Sequence, residues 1–257
     1  MIRYPALAAV RVGCVQYLNS KPLIYGCNAP VVFDHPSGLA RDLVAGKLDV
    51  ALVPVFEALR NPPWLAVDDV AIACDGPVFS VFLAHRGPLS EVRRIALDPA
   101  SRTSVHLLQV LLAEFHGLHP EYVAAEEPGD ALLLIGNQAI DFRTTYPGGW
   151  HLLDLGEEWK RCTGLPFVFA LWLMRPTLPN APVIADELRV IKADGLGHIA
   201  DIVRDDATHD PEVSARYLTQ HIRFACGAPE KAGLETYRAL LEKHHLIEPD
   251  GTALRFI

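Results

Sequence analysis

The 257-residue sequence predicts an α/β fold of two lobes, followed by a helical C-terminal segment. Through the first two thirds of the chain, short apolar runs of strand length alternate with helical patterns, which indicates mostly parallel strand pairing. The last third is helical. Breaks marked by proline at 86–88 and 175–176 predict that residues 1–85 plus 176–257 form one lobe and residues 88–174 the other. A cleft between two such lobes is a favoured place for a ligand.

Each element rests on a local pattern, with strands where apolar residues run together and helices where they recur every three or four positions. The clearest helix places Val105, Leu108, Leu112 and Phe115 on one face, with Ser101 as its N-cap. The predicted strands are 12–16, 50–55, 70–73, 78–84, 94–97, 122–125, 132–135 and 167–174. The predicted helices are 36–46, 56–60, 101–115, 153–162, 181–205, 211–227 and 229–246.

The composition excludes several classes of protein. Half of the residues are hydrophobic and 21% are charged, which is typical of a globular chain and not of a disordered or collagen-like one. The 23 basic residues against 31 acidic ones give a formal net charge of −8. An acidic chain without a basic run disfavours nucleic acid as a partner, although local charge can still bind a small anion.

The sequence shows no pattern typical of a targeting segment or a metal site. The apolar residues near the amino end stop at Arg11, before a signal-peptide core of about 7–15 residues is complete. No apolar run reaches the roughly 18–20 residues of a membrane span, so we expect a cytoplasmic protein. The five cysteines are scattered without a C-x-x-C pair, and the 11 histidines lack metal-ligand spacing. We therefore expect neither disulfides nor a metal site.

Polar residues follow the first predicted strand. Asn19 and Ser20 come at its carboxyl end, where open α/β sheets bind ligands. Pro22 could begin a helix whose free N–H groups point back at the ligand. A simple strand-to-helix turn, with Asn19 and Ser20 as caps, is the alternative.

A second polar cluster begins the clearest helix. Arg102, Thr103 and Ser104 lie in its first turn, where backbone N–H groups lack partners. Hydroxyls and a guanidinium at a helix N-terminus suit a carboxylate or a phosphate. An ordinary cap with a solvated Arg102 is the alternative.

Two isolated candidates complete the set. Ser80 is a lone hydroxyl in an apolar strand, and a hydrogen bond to the backbone is the usual reason for such a residue. Gly136 and Asn137 follow the strand at 132–135, where they either line a cleft or form a turn.

Four longer segments carry a resemblance to a known family. They are VGCVQYLNSKPLIYG at 12–26, DPASRTSVHLLQVLL at 98–112, ALLLIGNQAI at 131–140 and DLGEEWKRCTGLPFVFALW at 154–172, with ALVPVFEAL at 51–59 in addition. In this order they resemble the chorismate dehydratases of the futalosine route to menaquinone. One departure is Asn137, which stands where we expect an aspartate in that family.

The resemblance implies a fold like the type II periplasmic binding proteins, with the site between two lobes, in a cytoplasmic enzyme. It implies dehydration of chorismate, a small dianion, to 3-enolpyruvylbenzoate. Aromatisation of the ring drives that reaction, so no cofactor is expected. None of the matched motifs offers an obvious histidine or carboxylate as a base. The substrate's own enolpyruvyl carboxylate is therefore one candidate for the proton acceptor.

The resemblance also implies roles for the candidate residues. Asn19 and Ser80 contact the reacting ring as catalytic residues, and Asn19 holds the leaving hydroxyl. The first turn of the helix binds a carboxylate through Thr103, Ser104 and its N–H groups. Arg102 either adds charge there or anchors the loop from outside. The remaining pocket positions are Ser20, Gly136 and Asn137.

Three other functions remain as alternatives. A non-catalytic solute-binding protein shares the implied fold, but such proteins are normally exported. The sister enzyme of the pathway, 1,4-dihydroxy-6-naphthoate synthase, would need a different loop after the first strand. A ligand-sensing domain of a regulator would need an attached DNA-binding module.

Overall fold

The structure is a computed structural model, and it describes residues 3–61, 63–97, 102–145, 148–249 and 253–257. Within these residues eleven strands form two sheets. The strands are β1 (Val12–Cys14), β2 (Val31–Phe33), β3 (Val50–Pro54), β4 (Leu65–Cys74), β5 (Val81–His85), β6 (Arg94–Leu97), β7 (Glu121–Ala124), β8 (Ala131–Ile135), β9 (His151–Asp154), β10 (Phe167–Met174) and β11 (Arg255–Phe256).

Helices cover both sheets. The α-helices are α1 (Pro5–Ala8), α2 (Pro36–Val44), α3 (Val55–Arg60), α4 (Arg102–Val110), α5 (Gly136–Thr145), α6 (Leu155–Thr163), α7 (Ala181–Gly197), α8 (Ile199–Arg204), α9 (Pro211–Arg216) and α10 (Ala228–Lys243). Two 3-10 helices lie at Leu18–Ile24 and Leu89–Glu91. π-helical turns at Leu111–Phe115 and Tyr217–His221 extend α4 and α9.

The six-stranded sheet has the order β11-β4-β10-β3-β1-β2, and the five-stranded sheet has the order β7-β6-β8-β5-β9. In the helical C-terminal segment, α7 packs on β4 and on the 3-10 helix Leu18–Ile24, while α10 packs on β10. The predicted α/β fold with a helical C-terminal segment is therefore confirmed.

Local sequence explains the elements that carry the first sheet. β3 and β10 lie inside the sheet between other strands, and almost all of their residues are buried, so their sequences run apolar without alternation. α2 begins at Pro36, where the missing N–H is harmless. Just beyond its end, Gly46 takes the left-handed conformation with φ of +70°.

The pairing is more mixed than the alternation of elements predicts. β10 runs antiparallel to β3 and β4, and β5 runs antiparallel to β8 and β9. Both strands are entered directly after the chain has crossed from one sheet to the other. Parallel pairing needs a crossover of a dozen or more residues on the same sheet, and neither strand has one. The prediction of mostly parallel pairing is wrong at these two strands.

The same crossings correct the predicted lobe boundaries. The chain leaves the six-stranded sheet after β4 and returns to it with β10, so β5 belongs to one sheet and β10 to the other. The breaks at 86–88 and 175–176 are turns that follow these strands. Each predicted boundary is therefore wrong by one strand. Proline marks the turn after a strand, whereas the chain changes sheet before that strand and no local pattern marks the change.

The helices of the helical C-terminal segment are shorter and more interrupted than the sequence predicts. The helix predicted over 181–205 divides at His198 into α7 and α8. The helix predicted over 211–227 ends in the π-helical turn Tyr217–His221. Among the described residues no helix is both long and apolar enough to cross a membrane.

Candidate functional site

A cavity lies where the two sheets face each other. It has a volume of about 80 Å³, within about 620 Å³ of space that extends to its open mouth. The six-stranded sheet contributes mainly apolar side chains from β3, β4 and β10, and the five-stranded sheet contributes the start of β5 and the junctions that begin α4 and α5. The lining residues are Val15, Tyr17, Asn19, Pro36, Leu52, Val53, Pro54, Ile72, Val78, Ser80, Val81, Arg102, Thr103, Ser104, Ile135, Gly136, Phe169 and Ala170.

Six of the eight predicted site residues line this cavity, and Ser20 and Asn137 do not. Ser20 is buried, and its hydroxyl lies 2.6 Å from the carbonyl oxygen of Val15 and 2.7 Å from that of Tyr17. Ser20 therefore holds the turn after β1 in shape and does not line the pocket as predicted. Pro22 lies inside the 3-10 helix and does not begin a helix.

Asn19 and Ser80 meet through a third residue, Tyr217. The Asn19 Nδ2 atom donates to the Tyr217 hydroxyl at 2.9 Å, and the Ser80 hydroxyl lies 2.7 Å from the same oxygen. All three residues are buried. The Asn19 Oδ1 atom is also buried, and it has no hydrogen-bond partner in the described part of the chain. A lone buried acceptor at a cavity wall is available for a ligand.

Tyr217 was not found from the sequence. It lies in the π-helical turn after α9, in a segment whose pattern predicts only a helix. Asn19 is 198 positions away along the chain, so no local spacing could have joined the two residues. Burial raises the pKa of the Tyr217 phenol well above its usual value, and the hydrogen bonds to Ser80 and Asn19 lower it by less.

Ser80 sits in a tight turn just before β5, and not within a strand as predicted. Phe79 has a left-handed backbone with φ of +70°, and the Ser80 N–H donates to the Val78 carbonyl at 2.8 Å. The buried Asp154 carboxylate accepts the N–H groups of Val78 and Phe79 at 2.9 and 2.8 Å. These bonds hold an unfavourable backbone at the cavity wall, as is common at functional sites.

The first turn of α4 also lines the cavity. The Thr103 hydroxyl donates to the Phe169 carbonyl and accepts from the Phe56 N–H, both at 3.2 Å, so it ties α4 to the first sheet. Its single hydrogen is therefore already used, and the predicted contact of this hydroxyl with a carboxylate does not fit. Ser104 is buried, and its hydroxyl makes no hydrogen bond to a described residue. The predicted N-cap, Ser101, lies outside the described residues.

Arg102 lines the cavity, but its side chain is also exposed to solvent and lies near a carboxylate of α3. Its side chain is 44% exposed, and its Nε lies 3.6 Å from the buried carboxylate of Glu57 on α3. Glu57 also pairs with Arg60 at 3.2 Å. The guanidinium of Arg102 thus both anchors α4 to α3 and leaves positive charge at the cavity edge, so both roles predicted for it are compatible with its position.

Gly136 and Asn137 join the two sheets at the cavity. Gly136 begins α5 with φ of +59°, and a Cβ atom built there would lie 3.1 Å from the Tyr17 ring. Both the backbone conformation and the close ring favour glycine at this position. Asn137 accepts the Leu18 N–H at 3.2 Å through its side-chain oxygen. Asn137 therefore links the two walls from outside the cavity. The predicted alternative of a turn does not form, because α5 starts directly at Gly136.

The electrostatic character of the cavity follows from this set. The described lining residues include one guanidinium, several hydroxyls and an amide, and no histidine, lysine or carboxylate. The walls formed by β3, β4 and β10 are apolar. The arrangement suits a ligand that carries a negative group and a hydroxyl on an apolar body, held by a few hydrogen bonds.

The comparisons with known proteins agree with this architecture. Residues 10–243 match a protein family described as menaquinone biosynthesis. A curated protein of Thermus thermophilus, named chorismate dehydratase, is 30% identical, and the match covers 90% of this chain and 94% of that protein.

Solved structures show the same fold. A protein of Archaeoglobus fulgidus has a TM-score of 0.71 at 18% identity, with 93% of this chain and 98% of that one covered. A Candida albicans protein described as having the generic periplasmic binding protein fold has a TM-score of 0.64 at 11% identity, with 94% and 91% covered. The predicted fold like the periplasmic binding proteins is confirmed by these likenesses.

Proposed function

Because the chain belongs to the menaquinone biosynthesis family, we propose that it is a chorismate dehydratase, a hydro-lyase that converts chorismate to 3-enolpyruvylbenzoate and water. The observation that carries the proposal is the cavity itself. It joins an apolar wall to two polar groups of the lining, the first turn of α4 (the α4 end) and Asn19 with Ser80 (the buried end).

The reaction breaks two bonds that join substituents to ring carbons, the C3–H bond and the C4–O bond. The C3 hydrogen leaves as a proton, and its electron pair delocalises toward the ring carboxylate, to which C3 is vinylogous. The C4–O bond then breaks, and the departing hydroxyl takes up a proton and leaves as water. The ring becomes aromatic, which supplies the driving force without a cofactor. The protein must hold the carboxylates and stabilise the negative charge that develops during deprotonation.

The α4 end of the cavity is suited to a carboxylate. The first-turn N–H groups of α4 lack partners within the helix, and the helix dipole favours an anion at that end. The Ser104 hydroxyl adds a donor, and Arg102 adds positive charge at the cavity edge. Thr103 contributes through its position in the backbone, since its hydroxyl holds α4 in place.

The buried end is suited to the reacting ring. The free Oδ1 atom of Asn19 accepts the hydrogen of the C4 hydroxyl and fixes its orientation. The Ser80 hydroxyl contacts the ring from the other side of the cleft. An amide is not a general base. Since the described lining residues offer neither histidine nor carboxylate, we assign proton removal at C3 to the substrate's own enolpyruvyl carboxylate.

We further propose that the protein acts in the cytoplasm. All five cysteines are unpaired, and three of them are buried. Unpaired thiols are typical of a reducing compartment.

The test is to incubate the purified protein with chorismate in the presence of a chelator and without any cofactor. Products are followed by chromatography and ultraviolet absorbance. We expect 3-enolpyruvylbenzoate to form well above the background rate. Unchanged chorismate in this assay, with chorismate still bound in calorimetry, would instead identify a non-catalytic binding protein.

A further inference from the structure

Among the described residues, Tyr217 is the one that hydrogen-bonds the side chains of both Asn19 and Ser80, which come from opposite walls of the cleft. Asn19 belongs to the 3-10 helix after β1, and Ser80 precedes β5 in the other sheet. Tyr217 itself belongs to the helical C-terminal segment and does not line the cavity. Its hydroxyl therefore lies behind the two proposed catalytic side chains.

The direction of these hydrogen bonds follows from the chemistry of each group. The Asn19 Nδ2 atom can only donate, so the phenol oxygen accepts its hydrogen. In the described part of the chain, the one acceptor to which the phenol hydrogen can then be donated is the Ser80 Oγ atom at 2.7 Å. Because that bond is donated by the tyrosine, the Ser80 hydrogen is left to point elsewhere. The Asn19 Oδ1 atom is left as an acceptor at the same time.

We infer that Tyr217 is a positioning residue that sets Asn19 and Ser80 as one acceptor and one donor facing the cleft. The inference rests on the proposed function for the identity of the ligand, but the hydrogen-bond chain exists without it. The phenol acts by orientation and does not transfer a proton. A tyrosinate at this fully buried position would be strongly disfavoured, since burial raises the phenol pKa.

The surroundings of Tyr217 make it a firm support. The Asp210 carboxylate caps α9, and the π-helical turn follows directly. The Phe79 ring lies 6.2 Å from the Tyr217 ring and stacks on His221 at 5.0 Å, and the His221 ring also bonds the Pro77 carbonyl at 3.0 Å. The helical C-terminal segment thus holds the connection from β4 to β5 in place, including the turn that carries Ser80.

The primary test compares Tyr217→Phe with wild type in the chorismate assay. The ring keeps its packing and only the hydroxyl is lost. We expect kcat to fall by about 10- to 100-fold with KM within about threefold, since misorientation of catalytic groups affects the transition state more than binding. The matched control is Tyr122→Phe on β7, which also removes one hydroxyl from a partly buried ring but lies outside the cavity. It should leave kcat unchanged.

A double-mutant cycle separates positioning from general loosening of the fold. In a Ser80→Ala background, Tyr217→Phe should lower kcat by clearly less than it does in wild type, because one of the two residues through which it acts is already gone. An equal loss of kcat in both backgrounds would overturn the inference, as would a Tyr217→Phe enzyme with wild-type kcat.

The cycle can also be measured without activity. Urea unfolding of wild type, Ser80→Ala, Tyr217→Phe and the double variant should show non-additive losses of unfolding free energy, because the two hydroxyls share one hydrogen bond. If wild type does not convert chorismate, the proposed function fails and this coupling still decides the inference. Strictly additive losses would contradict it.

Discussion

The two polar groups of the cavity lining, the buried end and the α4 end, are held in different ways. At the end formed by Asn19 and Ser80, the polar side chains are buried, and Tyr217 fixes both of them. At the end formed by the first turn of α4, the charged side chain of Arg102 is 44% exposed and shared with Glu57. The Thr103 hydroxyl there bonds the backbone of the opposite sheet.

From this difference we expect the buried end to determine mainly the rate of the reaction and the α4 end mainly the binding of the substrate. Buried, fixed hydrogen-bonding groups stabilise charge in the transition state without reorganisation, and they are worth more in a dry site than in water. An exposed charge contributes to attraction and binding, but solvent and salt weaken it. We therefore expect substitutions at the buried end to lower kcat and substitutions at the α4 end to alter KM or stability.

The largest effect is expected from Asn19→Ala. The variant removes the only described acceptor of the buried end that lacks a partner, so kcat should fall about 100-fold while KM changes far less. Steady-state kinetics with chorismate measure both constants. Asn28→Ala, at an exposed asparagine, is the matched control and should behave as wild type. Turnover of Asn19→Ala within about threefold of wild type would show that Asn19 does not hold the leaving group.

Thr103→Val tests the α4 end. Valine keeps the shape but leaves the buried Phe56 N–H and the Phe169 carbonyl without their partner, so the free energy of unfolding should fall by about 1–3 kcal/mol. Urea unfolding measures this loss. Thr236→Val on α10 is the control, because its hydroxyl bonds only the Ala232 carbonyl at the surface, and it should stay within about 0.5 kcal/mol of wild type.

The same variant also separates two roles of Thr103. If the hydroxyl only ties α4 to the first sheet, KM for chorismate should change little below the temperature at which the variant unfolds. A variant with wild-type stability and a strongly raised KM would show instead that the hydroxyl contacts the substrate carboxylate.

The sequence predicted those parts of the fold and site that depend on local patterns. Asn19 follows a strand, and Arg102 and Ser104 begin an amphipathic helix, so chain position alone marked them. Local patterns do not record which sheet a strand joins. The direction of β10 and its place beside β3 depend on how the chain returns from the other sheet, and this led to the wrong boundary at 175–176.

Contacts between distant segments account for the rest of the differences at the site. The Thr103 hydroxyl looked available because Phe56 and Phe169 are far from it in sequence. Tyr217 was missed for the same reason, as a single tyrosine in a helical pattern. Gly136 was assigned to a pocket or a turn, but the start of α5 and the nearby Tyr17 ring depend on the packing of the two sheets.

Arg102→Gln should give the smallest of these effects. The substitution removes a charge that is partly exposed and partly neutralised by Glu57, so KM for chorismate should rise about three- to tenfold with little change in kcat, equivalent to about 1 kcal/mol. Arg60→Gln is a close control, because Arg60 pairs with the same Glu57 at 3.2 Å but does not line the cavity. Its KM should stay within about twofold of wild type.

The difference in KM between Arg102→Gln and Arg60→Gln should shrink as salt is added, because the Debye length is only about 8 Å at 0.15 M ionic strength. A salt-independent rise in KM for Arg102→Gln would indicate a desolvated contact with the substrate, and the α4 end would then resemble the buried end more closely than its exposure suggests.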